Sequence, residues 1–264
     1  MNNAEYLTRP KVAVCFYGLI GAVGEKNGEG NPVDFSFCAR SLQRALQFCE
    51  VDYFVHSWSV GADEIIRQFI NPVRMLIEPG LKYDEQRFKH YVKKKARPLD
   101  YLLNILSPNR QSDAEKYAYR AYSRWTSVNR SISLIPKSQL SSYDFILSTR
   151  LDLEFFSSIL FPETGQDEII CSHWNSAVIP GSWDRFNQQN ASLDRPAFLD
   201  LWFAGRPQAM LKFSTLIDRF SEYSLSPHSS SYEHAVWCGL SPRYYLYRGF
   251  DFELVRRSTY GSVK

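Results

Sequence analysis

Continuous apolar runs alternate along this chain with segments in which apolar positions recur every three or four residues. Residues 11–17 (Lys-Val-Ala-Val-Cys-Phe-Tyr) form such a run, closed by Gly18, the pattern of a strand buried on both faces. The next stretch, 18–31, holds five glycines and reads as a loop. Over 35–49, Phe37, Leu42, Ala45, Leu46 and Cys49 fall at near-helical spacing, which predicts an amphipathic helix. Residues 51–58 read as a second strand with a polar end, His56-Ser57. Strand, glycine loop, helix, strand is a βαβ signature. It implies a parallel sheet with ligands at the carboxyl ends of its strands.

The same patterns predict a short helix over 63–70 and a third strand over 73–77, closed by Pro79-Gly80. A basic helix follows over 84–97, then a long one over 111–133 carrying Tyr117, Tyr119, Tyr122 and Trp125. A strand over 143–148 runs straight into 149–154, and another is short, over 169–172. Residues 173–196 are loop-like and rich in Trp, Asn, Gln, Ser and Pro. A strand over 199–203 ends at Gly205, a helix covers roughly 207–223, and a last helix starts near 232. With no repeats and no clear linker, one domain over 1–264 is expected.

Composition narrows the class. At 264 residues, with 44% hydrophobic and 22% charged positions, the chain is neither disordered nor fibrous. The net charge of +3 is too small to argue for nucleic acid. Aromatic residues reach 15%, a surplus that suits stacking on a base or a sugar. Five cysteines without a C-x-x-C pair read as reduced, mostly buried thiols. The apolar stretch 12–23 is interrupted by Tyr17-Gly18 and reads as a strand, not an export signal. No run approaches the ~18 apolar residues of a membrane span. A soluble, cytoplasmic protein is expected.

The strongest chemical signal is the alternation Arg150, Asp152, Glu154 after a hydrophobic strand. On an extended backbone these positions share a face. Paired carboxylates suit a hard divalent cation that also touches phosphate oxygens, and an arginine suits a diphosphate. The competing reading is a solvated Arg150–Glu154 pair with Asp152 as a turn acid. His56 and Trp58 end the second strand, where His56 could bond a phosphate, ribose or acceptor hydroxyl or be a satisfied core histidine. Tyr17 could stack on a base or be simply buried. His90, His173, His228 and His234 lack zinc-ligand spacing.

Taken in order, residues 11–18, then Asp52 to Trp58 ending His-Ser-Trp, then Tyr143-Asp144 leading to Arg150-Leu151-Asp152, resemble a group of small bacterial glycosyltransferases of surface-polysaccharide (O-antigen or capsule) synthesis. Asp200-Leu201-Trp202-Phe203-Ala204-Gly205 is similar to a downstream segment of that group, and Tyr232-Glu233 to its late glutamate. The resemblance implies an α/β, GT-A-like (Rossmann-like) fold with a mostly parallel sheet flanked by helices. It implies a nucleotide-diphospho-sugar donor and a saccharide or lipid-linked saccharide acceptor. Residues 1–155 would be the nucleotide-sugar half and 156–264 the acceptor half. Asp152 and Glu154 would take the place of the metal motif, for Mn²⁺ or Mg²⁺, and Tyr17, Gly18, His56, Arg150 and Asp152 would bind the donor.

Glycosyl transfer passes through an oxocarbenium-like transition state and expels a nucleoside diphosphate whose charge needs a cation. If configuration inverts, a carboxylate should take the acceptor's proton. Glu233, Asp200 and Asp194 are the candidates. Asp152→Ala is expected to abolish transfer and leave the fold intact. Phe88, Tyr91 and Val92 among the lysines of 87–97 could also rest on an anionic membrane, at its inner face, or pack inward. Two other readings remain: a non-catalytic carbohydrate-binding protein, and a nucleotidyltransferase or sugar-nucleotide hydrolase, which would usually carry a glycine-rich phosphate loop absent here.

Overall fold

The computed structural model describes residues 9–20, 34–95, 108–173 and 197–255. Its strands are β1 (Lys11–Tyr17), β2 (Glu50–Ser57), β3 (Pro72–Ile77), β4 (Phe145–Arg150), β5 (Leu153–Phe155), β6 (Glu168–His173), β7 (Phe198–Gly205), β8 (Ser241–Tyr244) and β9 (Phe252–Leu254). The helices are α1 (Phe35–Ala45), α2 (Asp63–Phe69), α3 (Glu85–Lys95), α4 (Pro108–Ser133), α5 (Pro207–Ser214) and α6 (Pro227–Trp237). Seven strands form one sheet in the order β3-β2-β1-β4-β7-β6-β8. The pairs β1–β2, β2–β3, β1–β4 and β6–β8 are parallel, and β7 runs antiparallel to both neighbours. This is the expected α/β architecture, a mostly parallel sheet flanked by helices.

β1 explains why the sheet is covered twice. Its side chains alternate, and all of Val12 to Tyr17 are buried. Val12, Val14 and Phe16 pack with Phe35, Leu42 and Ile66 of α1 and α2. Ala13, Cys15 and Tyr17 face the other layer, with Ala121, Trp125 and Val128 of α4 and Phe213 of α5. A strand with no solvated face reads as an unbroken apolar run. α1 is started by Asp34, whose side chain accepts from the Ser36 amide at 2.9 Å, satisfying one of the helix's orphan donors.

Three segments differ from the sequence pattern. The extended stretch predicted to run through Glu154 instead breaks: β4 ends at Arg150, Leu151-Asp152 turn, and β5 pairs with β9 in a separate two-stranded sheet. The helix expected over 207–223 tightens into a 3₁₀ helix, Thr215–Glu222. There the Ser214 and Thr215 hydroxyls donate back to the Leu211 and Lys212 carbonyls, competing with the helical ladder. α6 starts at Pro227 instead of near 232, and the proline's fixed φ suits a first helical position.

The basic helix α3 is corrected in its partner. Phe88 and Val92 are buried against Ala118 of α4, and the Tyr91 ring packs at a tilt against Tyr122 and Phe220. Its apolar face is therefore spent inside the protein, which removes the basis for laying 87–97 on a membrane. No helix among the described residues is long and apolar enough to cross one.

Candidate functional site

The order of the strands decides where a ligand can enter. From β1 the chain moves outward to β2 and β3, then returns to place β4 on the opposite flank of β1. The strand order reverses between β1 and β4, the topological switch point of an open α/β sheet. Tyr17 and Arg150, the last residues of the two strands, are partners in the register. A cleft of about 740 Å³ opens over them. Its floor is Tyr17, Gly18 and Arg150; α4 supplies Lys116, Tyr117, Tyr119, Arg120 and Arg124; Trp58, Tyr83 and Pro227 complete the rim. Four cations and five aromatic rings line it, and no carboxylate does among the described residues.

Gly18 holds the floor open. Its φ of 95° is one that side chains other than glycine rarely adopt, and a Cβ there would meet nothing within 4 Å. Both of its backbone polar groups are spent internally. The amide donates to Ser127 Oγ at 2.8 Å, and the carbonyl accepts from the Trp58 amide at 3.1 Å and Ser57 Oγ at 2.9 Å. With its oxygen accepting from Gly18, the Ser127 hydroxyl donates to His56 Nδ1 at 2.6 Å. His56 then donates from Nε2 to Glu78 Oε1 at 2.8 Å. Glu78 also pairs with Arg130, whose guanidinium lies 5.1 Å from the Trp58 ring centre. Burial, with Arg130 adding to it, pushes His56 down to about 4. The Glu78 carboxylate alone would favour the imidazolium, but Arg130 already offsets its charge. His56 is thus a wholly buried neutral strut behind the Gly18 turn, with both nitrogens engaged.

At the end of β4, Arg150 donates from Nε and Nη2 to the two oxygens of Asp152, at 2.6 and 2.7 Å. Burial opposes the guanidinium's charge, but Asp152 more than offsets this and holds Arg150 above its ordinary value. Two of the five N–H groups are used in this fork. The Tyr17 hydroxyl shares its proton between the Asp200 and Leu201 carbonyls at 3.0 and 3.1 Å. Burial, only partly countered by Arg150 and Arg124, raises that phenol to about 12. On β7, the buried Asp200 carboxylate is engaged by Arg124 and lies 3.2 Å from His228 Nδ1. His228 also bonds the Phe198 carbonyl at 3.1 Å, and burial, then Arg124, lowers it to about 3. Glu233 accepts the Ser224 amide at 2.6 Å, tying down the turn that leads into α6.

The expected metal pair is not assembled in this arrangement. Asp152 is fully buried with both oxygens on Arg150, and Glu154 sits on β5 opposite Glu253 of β9. Neither lines the cleft, and the described residues contain no group of three His, Cys, Asp or Glu placed to hold a metal. The reason is the turn at 151–152, which breaks the period-two alternation and folds Asp152 back on Arg150. These residues as placed do not fit a divalent cation. Of the other expected residues, Tyr17, Gly18 and Arg150 meet at the cleft; His56 lies behind it; Asp194, with most of the loop 173–196, lies outside the described residues.

Two residues that carried the motif order do other work. Tyr143 donates to Asp52 at 2.8 Å, and Asp144 accepts the Lys11 amide at 2.8 Å. Both bonds sit at the amino ends of the strands, about 20 Å of extended chain from the cleft. The cations of α4 were missed from the sequence. Their signal was the spacing of Lys116, Arg120 and Arg124 at i, i+4 and i+8, which puts them along one side of a helix.

Fold and site together define an α/β protein with a cationic, aromatic-walled cleft at the switch point of its sheet. No family model and no curated protein matches the chain. Among solved structures, it is similar to mouse xyloside xylosyltransferase 1 in its apo form. The identity is 13% and the TM-score 0.41, over 89% of this chain and 84% of that one.

Proposed function

We propose that this chain is a glycosyltransferase that binds a nucleotide-diphospho-sugar in the switch-point cleft and passes its sugar to a saccharide acceptor. The observation that carries the reading is the lining of that cleft: Arg150, Arg124, Arg120 and Lys116 among the rings of Trp58, Tyr83, Tyr117 and Tyr119. A leaving nucleoside diphosphate gathers negative charge as the glycosidic bond breaks, and fixed cations in a partly dry site stabilise it. Flat rings with polar edges accept a base or a sugar face. In this reading Arg150 and Arg124 take the diphosphate, each aimed by its own carboxylate, Asp152 and Asp200. Asp200 acts as a positioning residue for Arg124 and His228, and Glu233 as an anchor of α6. The ordered motifs of the sequence favour a lipid-linked or free saccharide acceptor in surface-polysaccharide synthesis.

The test is a thermal-shift panel of UDP, GDP, CMP and dTDP with their sugars, each with EDTA and with Mn²⁺. A ligand at 100 times its Kd adds ~2.7 kcal/mol, which is a shift of roughly 5 °C or more for a chain of this size. One nucleotide series should stabilise the protein even in EDTA, and Arg120→Gln should weaken that shift without lowering the melting temperature of the free protein. A panel with no response, alongside saccharides that do stabilise, would instead favour the carbohydrate-binding reading.

A further inference from the structure

Beside the main cleft lies a second, smaller pocket of about 170 Å³, between the start of α3 and the middle of α4. Lys82, Arg87 and Arg130 line it together with the Tyr119, Tyr122 and Thr126 side chains, and no carboxylate does among the described residues. Two acids engage these guanidinium groups from outside the lining. Asp84 lies 3.6 Å from Arg87 Nε, and Glu78 pairs with Arg130 while also accepting from His56. Each guanidinium carries five N–H donors in a fixed fork, so one carboxylate does not exhaust either. The Arg87 guanidinium lies over the Tyr122 ring, 5.6 Å from its centre, which holds it at the pocket wall. Asp84 and Glu78 offset the two guanidinium charges, so Lys82 leaves this wall with a positive excess that favours an anion. The volume suits one phosphate or carboxylate and is too small for a nucleotide. Tyr119 is a wall of both this pocket and the main cleft, so the two are neighbours.

We propose that this pocket is an anion subsite that holds a phosphate or carboxylate carried by the acceptor, and that the acceptor is therefore acidic. The role of acceptor rests on the glycosyltransferase reading above; the binding of an anion here does not.

Two arms separate these claims. In the first, the ¹⁵N-labelled protein without nucleotide is titrated with inorganic phosphate. The Arg87 Nε–H signal should shift saturably, and Lys82→Gln with Arg87→Gln should abolish the response of the remaining pocket residues at an unchanged melting temperature. Residues of the main cleft shifting while Arg87 stays still, or an equal response in the double variant, would overturn the subsite. In the second arm, matched saccharide acceptors bear a phosphate, a carboxylate or neither. The double variant should raise KM at least tenfold for the charged acceptor that is used, with KM for the neutral one and the nucleotide thermal shift unchanged. Loss confined to the phosphate or to the carboxylate series names the source of the anion. An equal KM change for charged and neutral acceptors would overturn the assignment of an acidic acceptor. Transfer to none of them, with the phosphate titration intact, would sink the transferase reading and keep the anion site.

Discussion

Asp152 has both carboxylate oxygens on a guanidinium, and neither partner is more than slightly exposed. Such a pair gives little net stability relative to an apolar one, because desolvation of both charges offsets their attraction. Removing one member is a different matter, since it leaves the other buried and uncompensated. Asp152→Ala should therefore destabilise the protein by about 3–5 kcal/mol, read as a lowered urea midpoint at an unchanged slope. This revises the expectation that the substitution spares the fold. A variant with the wild-type midpoint would mean that Arg150 finds another anion or reaches water. Any loss of activity in Asp152→Ala must accordingly be compared with its loss of folded protein before it is assigned to chemistry.

At the scale of elements, α4 does two jobs. Ala118, Ala121, Trp125, Val128 and Ile132 recur at three and four residues and are buried against the sheet and its neighbours. Lys116, Arg120 and Arg124 run along an adjacent side and line the cleft. One long helix thus bolts the site's cations to the core. β7 is the other decisive element, lying antiparallel between β4 and β6. Its last residue, Gly205, is opposite Ile146 on one side and Ile169 on the other. A Cβ there would stand 2.9 Å from the Glu168 carbonyl oxygen, which is backbone and cannot swing aside. Gly205→Ala should cost about 1–3 kcal/mol through overpacking, measurable by chemical denaturation. An unchanged stability would mean that β6 can slide along β7.

Across the described structure, protonation couples to folding through three histidines, His56 and His234 buried and His228 partly so. His56, His228 and His234 are lowered to about 4, 3 and 4, each chiefly by burial. In the unfolded chain they titrate near 6.5. Between those values the unfolded state binds more protons than the folded one, so stability rises with pH there and is lost as pH falls. The urea midpoint should be flat above about pH 7 and drop from pH 6.5 towards 4. A midpoint that holds steady down to pH 4.5 would mean that these rings are charged or solvated in the folded protein. The loss matters for the site, because protonating His56 would break the strut that fixes Gly18 through Ser127.

Much of the architecture was legible along the chain. A strand with no solvated face must be apolar at every position, and a helix with one must be apolar every three to four; both rules are local, so β1, α1, β2 and α4 are written in their own residues. Gly18 and Arg150 were likewise legible, because strand ends and glycine turns mark themselves. Other features depended on partners distant in sequence. Asp152 reads as a ligand until the turn at 151–152 folds it onto Arg150, and the apolar face of α3 reads as free until Ala118 covers it. β8 and β9, of four and three residues, are too short to carry a period of their own, and pair only because β6 and β5 lie beside them. Sequence alone determined the longer elements, since those follow from the period of burial. Which charges meet which, and so which of them are left to face a ligand, was decided only by tertiary structure, because Coulomb attraction and desolvation depend on distances that the chain order does not contain.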